Sequence, residues 1–117
     1  MIQASVHLVA PEGKRAEILD VLRCLRGPTE MAGGCRACRI LQDVDDDRAI
    51  TYLVEWDTER ALEEHLRSER FRRLLPYIEM SVEPPEIGFC TIDRVRGIEF
   101  LVAALSPTAA DEGQVAG

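Results

Sequence analysis

The sequence predicts an α+β fold, with one antiparallel sheet and helices on one of its faces. Three observations predict it. Apolar residues alternate with a period of two over four separate stretches. Between the first and second stretches, and again between the third and fourth, the period becomes helical. The switches fall at Pro, Gly, Asp and Ser, the residues that punctuate elements. The resulting order, β-α-β-β-α-β, is that of a ferredoxin-like split βαβ sandwich.

Ile2 to Val9 reads as the first strand. Ile2, Ala4, Val6 and Leu8 point one way, and Gln3, Ser5, His7 and Val9 the other. Pro11-Glu-Gly13 breaks it. Lys14 to Arg26 follows as a helix with an Ile18, Val21, Leu22 and Leu25 stripe, ended by Gly27-Pro28. Cys35 to Val44 is the second strand. Asp45-Asp46-Asp47 turns it into the third, Arg48 to Trp56, as a hairpin.

A helix starts at once after Trp56, with Asp57 or Thr58 as N-cap and Glu59 near its positive end. Ser68 reads as a fresh N-cap. Phe71, Leu74, Leu75 and Ile78 continue with helical spacing until Pro76 kinks or unwinds the last turn. Ile87 to Val95 is the fourth strand, and Ile98 to Leu105 a short C-terminal helix. Residues 1–105 thus form one domain, and the small, polar stretch 106–117 is expected to be a disordered tail.

The third strand is apolar on both sides, with Leu53 on one and Ile50, Tyr52, Val54 and Trp56 on the other. Helices from one chain cover only one sheet face. The second face is therefore expected to meet another subunit, a ligand, or both, which argues for a homodimer.

The formal net charge is −7, with 14 Lys plus Arg against 21 Asp plus Glu and no polybasic run. Nucleic-acid binding rests on neutralising phosphates, so this balance argues against it. The start of the chain does not read as a signal peptide, and no apolar run is long enough to span a bilayer. A cytoplasmic protein with reduced thiols is expected.

Chemistry is expected near Trp56 and His65. Trp56 ends a strand where sheet meets helix, a place where concave sites form. His65 follows on the next helix, at the edge of its apolar stripe, where a neutral imidazole can take a proton near pH 7. His7 shares a strand face with Ser5 and Gln3, a half-polar patch suited to a wet cavity between two sheets. Cys35-x-x-Cys38 reads as neither a zinc site nor a redox motif. Two cysteines three apart on a regular strand point to opposite faces, and the motif does not open a helix. Asp45-Asp46-Asp47 lacks the glycine and distal glutamate of a calcium loop. No metal ligand set is expected.

The chain resembles the antibiotic biosynthesis monooxygenase family. The likeness lies in Tyr52-Leu-Val-Glu-Trp56-Asp-Thr58 with Ala61-Leu-Glu-Glu-His65-Leu66-Arg-Ser68, in Gly33-Gly34-Cys35, and in the first strand and helix joined by Pro11-Glu-Gly-Lys14. It implies a dimeric α+β barrel in which each subunit keeps a pocket between sheet and helices. It also implies oxygenase chemistry without metal or flavin, in which a deprotonated phenol or anthrone reduces O2 directly. Tyr52 and Arg70 stand where some relatives carry asparagine and histidine. Leu74 and Leu75 stand where haem-degrading relatives need a ligating histidine, so haem degradation is not implied.

These readings together predict a homodimeric, cofactor-independent monooxygenase of a quinol or other phenolic small molecule. His65 or His7 would be the proton acceptor, and Trp56, Tyr52, Phe71, Ser5 and Leu66 would contact the substrate. The alternatives are a non-catalytic small-molecule-binding dimer and an isomerase or degrading enzyme for a small carbonyl compound.

Overall fold

The computed structural model describes residues 1–107. The tail expected over 106–117 therefore falls almost wholly outside the described residues. The elements are β1 (Ile2–Val9), α1 (Arg15–Glu30), β2 (Cys35–Gln42), β3 (Ala49–Trp56), α2 (Glu59–Leu66), α3 (Glu69–Glu79), β4 (Glu86–Thr91) and α4 (Ile98–Leu105). The strands form one antiparallel sheet in the order β2-β3-β1-β4, which is the ferredoxin-like α+β fold.

Register decides what each face carries. Val6 pairs with Tyr52 and Ile87, and Ala4 with Val54 and Phe89, so these rows share the helix-covered face. The opposite face carries Leu53 beside Ser5, and Thr51 beside His7. Leu8, Ile18, Leu22, Ile50, Trp56 and Leu74 are fully buried between the sheet and α1–α3. Each such side chain stabilises the fold by roughly 1.5–3 kcal/mol.

Four boundaries differ from expectation. Helix α1 runs through Gly27-Pro28 to Glu30. Pro28 forfeits one backbone bond. The helix is held by Thr29, fully buried, whose hydroxyl donates to the Leu25 carbonyl at 2.7 Å. Similarly, Pro76 does not unwind α3, because Ile78 beyond it is buried in the core.

Strand β2 stops at Gln42, and Val44 lies 98% exposed in the connection to β3. The Asp43 and Asp46 carboxylates accept from the Asp45 and Arg48 amides, so the acidic cluster builds the loop with its own side chains. Strand β4 ends at Thr91 rather than Val95.

The cysteines overturn a parity argument. A β-bulge between Cys35 and Ala37 places Cys35 opposite Trp56 and Cys38 opposite Val54, two residues apart on one face. Cys35 and Cys38 therefore share the helix-covered face instead of pointing apart. Among the described residues, no helix is long and apolar enough to cross a membrane.

Candidate functional site

The site begins at the joint between α2 and α3. The Thr58 hydroxyl accepts from the Ala61 amide at 3.1 Å and starts α2 directly after β3. The Ser68 hydroxyl accepts from the Phe71 amide at 3.3 Å, starting α3, and donates to the His65 carbonyl. One serine thus ties His65, in the last turn of α2, to Phe71, in the first turn of α3.

The rings follow from that joint. His65 meets the Phe71 ring edge-on, with centroids 5.5 Å apart and planes at 61°. It also meets Trp56 at 4.7 Å, with planes inclined by 34°. His65 is only 4% exposed. Burial, and then the nearby Arg70 charge, push its pKa down to about 4. The imidazole is accordingly neutral at pH 7. His65 Nδ1, Trp56 Nε1 and Arg70 Nε are buried with no hydrogen-bond partner among the described residues. Buried polar atoms are ordinarily paired, and these three, on His65, its ring neighbour Trp56 and the nearby Arg70, are not.

An apolar cavity of about 20 Å³ lies beside the imidazole, lined by Tyr52, His65, Leu66, Phe71, Ile87 and Phe89 among others. This is room for about one water molecule. A wider groove of about 290 Å³ adjoins it between α2 and β4, and Leu66 and Phe89 line both. These two side chains separate the inner cavity from the outer groove.

Tyr52 presents its ring to the cavity, while its hydroxyl is engaged elsewhere. The Cys38 thiol donates to it at 3.3 Å, and it donates to the Thr29 hydroxyl at 3.3 Å, which in turn donates to the Leu25 carbonyl. Burial above all raises the Tyr52 pKa, so this phenol stays protonated. Cys35 and Cys38 are also raised, chiefly by burial, and remain thiols.

His65, Tyr52, Leu66 and Phe71 are thus brought together around one cavity. Trp56 stands behind His65 rather than in the lining. Ser5 and His7 lie on the opposite sheet face, where His7 Nδ1 shares a 2.9 Å hydrogen bond with the Thr51 hydroxyl. Sequence reasoning missed Arg70 as a site residue. Its signal was present: an arginine immediately before Phe71 in the first turn of an apolar-striped helix. Among the described residues, no three His, Cys, Asp or Glu side chains are placed to hold a metal ion.

Residues 1–76 match the sequence profile described as antibiotic biosynthesis monooxygenase. The chain belongs to this family. Membership supports a general monooxygenase-like role.

Solved structures agree in fold. A Deinococcus radiodurans protein carrying the same family name superposes with a TM-score of 0.76 at 16% identity, covering 84% of this chain and 98% of that one. A Nitrosomonas europaea protein of the same family name gives 0.73 at 15%, covering 80% and 100%. A conserved Methanosarcina mazei Go1 protein gives 0.70 at 24%, covering 76% and 89%. At these identities the likeness shows the antibiotic biosynthesis monooxygenase fold alone. No curated protein matches the chain in sequence.

Proposed function

We propose that the protein is a cofactor-independent monooxygenase of a hydroquinone or related phenol, with its site between the sheet and the α2–α3 joint. The observation that carries this reading is a neutral, buried His65 with an unpartnered Nδ1 beside Arg70 and an apolar cavity. A flat aromatic substrate would part Leu66 and Phe89, joining inner cavity and outer groove, and lie against Tyr52 and Phe71. Its hydroxyl would donate to His65.

In the unliganded cavity, burial and Arg70 both disfavour the imidazolium. A phenolate alters that balance, because the anion pairs with Arg70 and with the proton that His65 has taken. The electron-rich ring then reduces O2 and forms a C–O bond. Loss of water, using the His65 proton, leaves a hydroxyquinone, so that hydroquinone plus O2 gives hydroxyquinone plus water. The electrons come from the substrate. Trp56 keeps the imidazole in place, and His7 and Ser5 serve the uncovered sheet face.

That face, with Leu53 and the His7–Thr51 pair, would pack on a second copy to form a homodimeric barrel over the domain 1–105. A reducing, cytoplasmic setting suits the four free thiols.

The test is oxygen uptake with a panel of hydroquinones. Wild type and His7→Ala should turn over, and His65→Ala should lose about a hundredfold or more, the scale of one positioned proton acceptor. No uptake by wild type, or equal uptake by all three, would sink the proposal. A second reading, a non-catalytic binding dimer, is favoured by the small volume and apolar lining of the inner cavity. It predicts thermal stabilisation by hydroquinones without product.

A further inference from the structure

Cys35 and Cys38 take no part in the site described above, and the bulge in β2 changes what they can do. On a regular strand they would point apart. Here Cys35 pairs with Trp56 and Cys38 with Val54, and Arg36 is the uncounted residue between them. Both thiols therefore stand on one face, opposite partners two residues apart along β3. Two residues span roughly 6.6–6.8 Å of a strand, and disulfides bridge Cα separations of up to about 6.8 Å. A bulged strand is already bent and its ladder already interrupted, so a small closure there disturbs little.

The pair has an opening. A polar groove of about 400 Å³ lies along edge strand β2, lined by Glu30, Cys35, Ala37, Cys38 and the arginines at 36 and 39. Cys35 is half-buried in it and Cys38 is buried. Burial above all raises both thiol pKa values, and the Glu30 carboxylate adds to this. A small thiolate fraction makes oxidation slow without preventing it.

Cys38 is also joined to the inner cavity. Its thiol donates to the Tyr52 hydroxyl at 3.3 Å, and the Tyr52 ring lines that cavity. A sulfur that has given up its proton no longer makes this bond.

We propose that Cys35 and Cys38 are an oxidative modification site, joined reversibly as a disulfide by hydrogen peroxide, and that the bridge releases Tyr52 from Cys38. The Cys35 thiolate attacks peroxide, the O–O bond breaks, and a sulfenic acid and one water result. The Cys38 sulfur then displaces the sulfenic oxygen, which leaves with the Cys38 proton as a second water. Two thiols and one peroxide thus give one disulfide and two waters, with two electrons passing from sulfur to oxygen. A dithiol reverses the step by exchange. The site stands whether or not the His65 cavity performs oxygenase chemistry.

The test is peptide mapping of the full chain in a Cys24→Ser, Cys90→Ser background, which leaves only this pair of thiols. Trypsin cuts after Arg26, Arg36 and Arg39, and so separates Cys35 from Cys38. After hydrogen peroxide the chain should keep single-chain mobility on a non-reducing denaturing gel. Its peptides 27–36 and 37–39 should stay joined until dithiothreitol is added. Separate peptides, whether unmodified or carrying sulfinic or sulfonic acid, would overturn the disulfide. A link formed only between chains would overturn it as well.

Melting reads the connection to Tyr52. Oxidation should lower the melting temperature of this background, and should lower it less in Tyr52→Phe, which lacks the hydroxyl from the start. Equal shifts, or no shift in either, would overturn the release of Tyr52.

Discussion

The Trp56 and His65 rings lie 4.7 Å apart, inclined by 34°, although one ends a strand and the other sits in the last turn of the next helix. The contact keeps the imidazole out of water, and burial is the main cause of its depressed pKa.

This has a pH consequence of definite sign. The folded pKa of His65, about 4, lies below its ordinary value of 6.5. Above pH 6.5 the residue is neutral in both folded and unfolded chains. As pH falls toward 4 the unfolded chain takes up the proton first, and stability is lost, by up to about 3 kcal/mol. Urea denaturation at pH 7 and pH 4.5 should show a smaller loss for His65→Phe than for wild type. Equal losses would contradict the burial argument.

Ser68 caps α3 and holds the His65 carbonyl. Ser68→Ala should cost about 1 kcal/mol of stability, the usual worth of an N-cap. Oxygen uptake should fall by more than that loss of stability accounts for, because Phe71 and His65 are no longer tied. Comparing the urea midpoint with uptake by fully folded protein separates the two effects.

Tyr52→Phe distinguishes ring from hydroxyl. The ring stays in the cavity wall, while Cys38 and Thr29 lose their shared partner. A cost of about 1–3 kcal/mol is expected, as for buried polar groups left unpaired. Hydroquinone uptake per folded molecule should remain. Its loss would assign the hydroxyl a role in the chemistry.

Gly34 has φ +85°, and a Cβ built there would meet the Ala61 Cβ at 2.6 Å. Its carbonyl also accepts from the Asp57 amide at 2.8 Å, joining the start of β2 to the start of α2. Gly34→Ala should destabilise by about 1–3 kcal/mol from backbone strain, with the close contact adding to it. A thermal melt would show this directly.

Much of this was legible in the chain because period and burial agree. The β3 alternation put Tyr52, Val54 and Trp56 on the core side, and Thr58 and Ser68 announced both helix starts. Pro28 and Pro76 misled because local rules count the lost backbone bond but not the buried Thr29 and Ile78 that outweigh it. Arg70 was overlooked because its importance is spatial: its place before Phe71 in the first turn of α3 is visible in the chain, but its effect on His65 crosses the α2–α3 joint. His7 and Ser5 lie, as their strand parity indicated, on the face away from the first strand's core residues, and outside the lining of the His65 cavity.

The bulge between Cys35 and Ala37 also changes how tolerant the chain is to edits. A regular strand keeps strict count, so one inserted or deleted residue turns all side chains beyond it inside out. β2 already contains one uncounted residue, next to the connection from α1. Shortening the chain by one there would restore plain alternation while leaving Cys38 and Ile40 facing the helices. The same deletion in the middle of β1 or β3 would invert part of the sheet. The edge at Cys35 is therefore where this fold can absorb a change in length, and where sequences of different length can be aligned without disturbing the cavity.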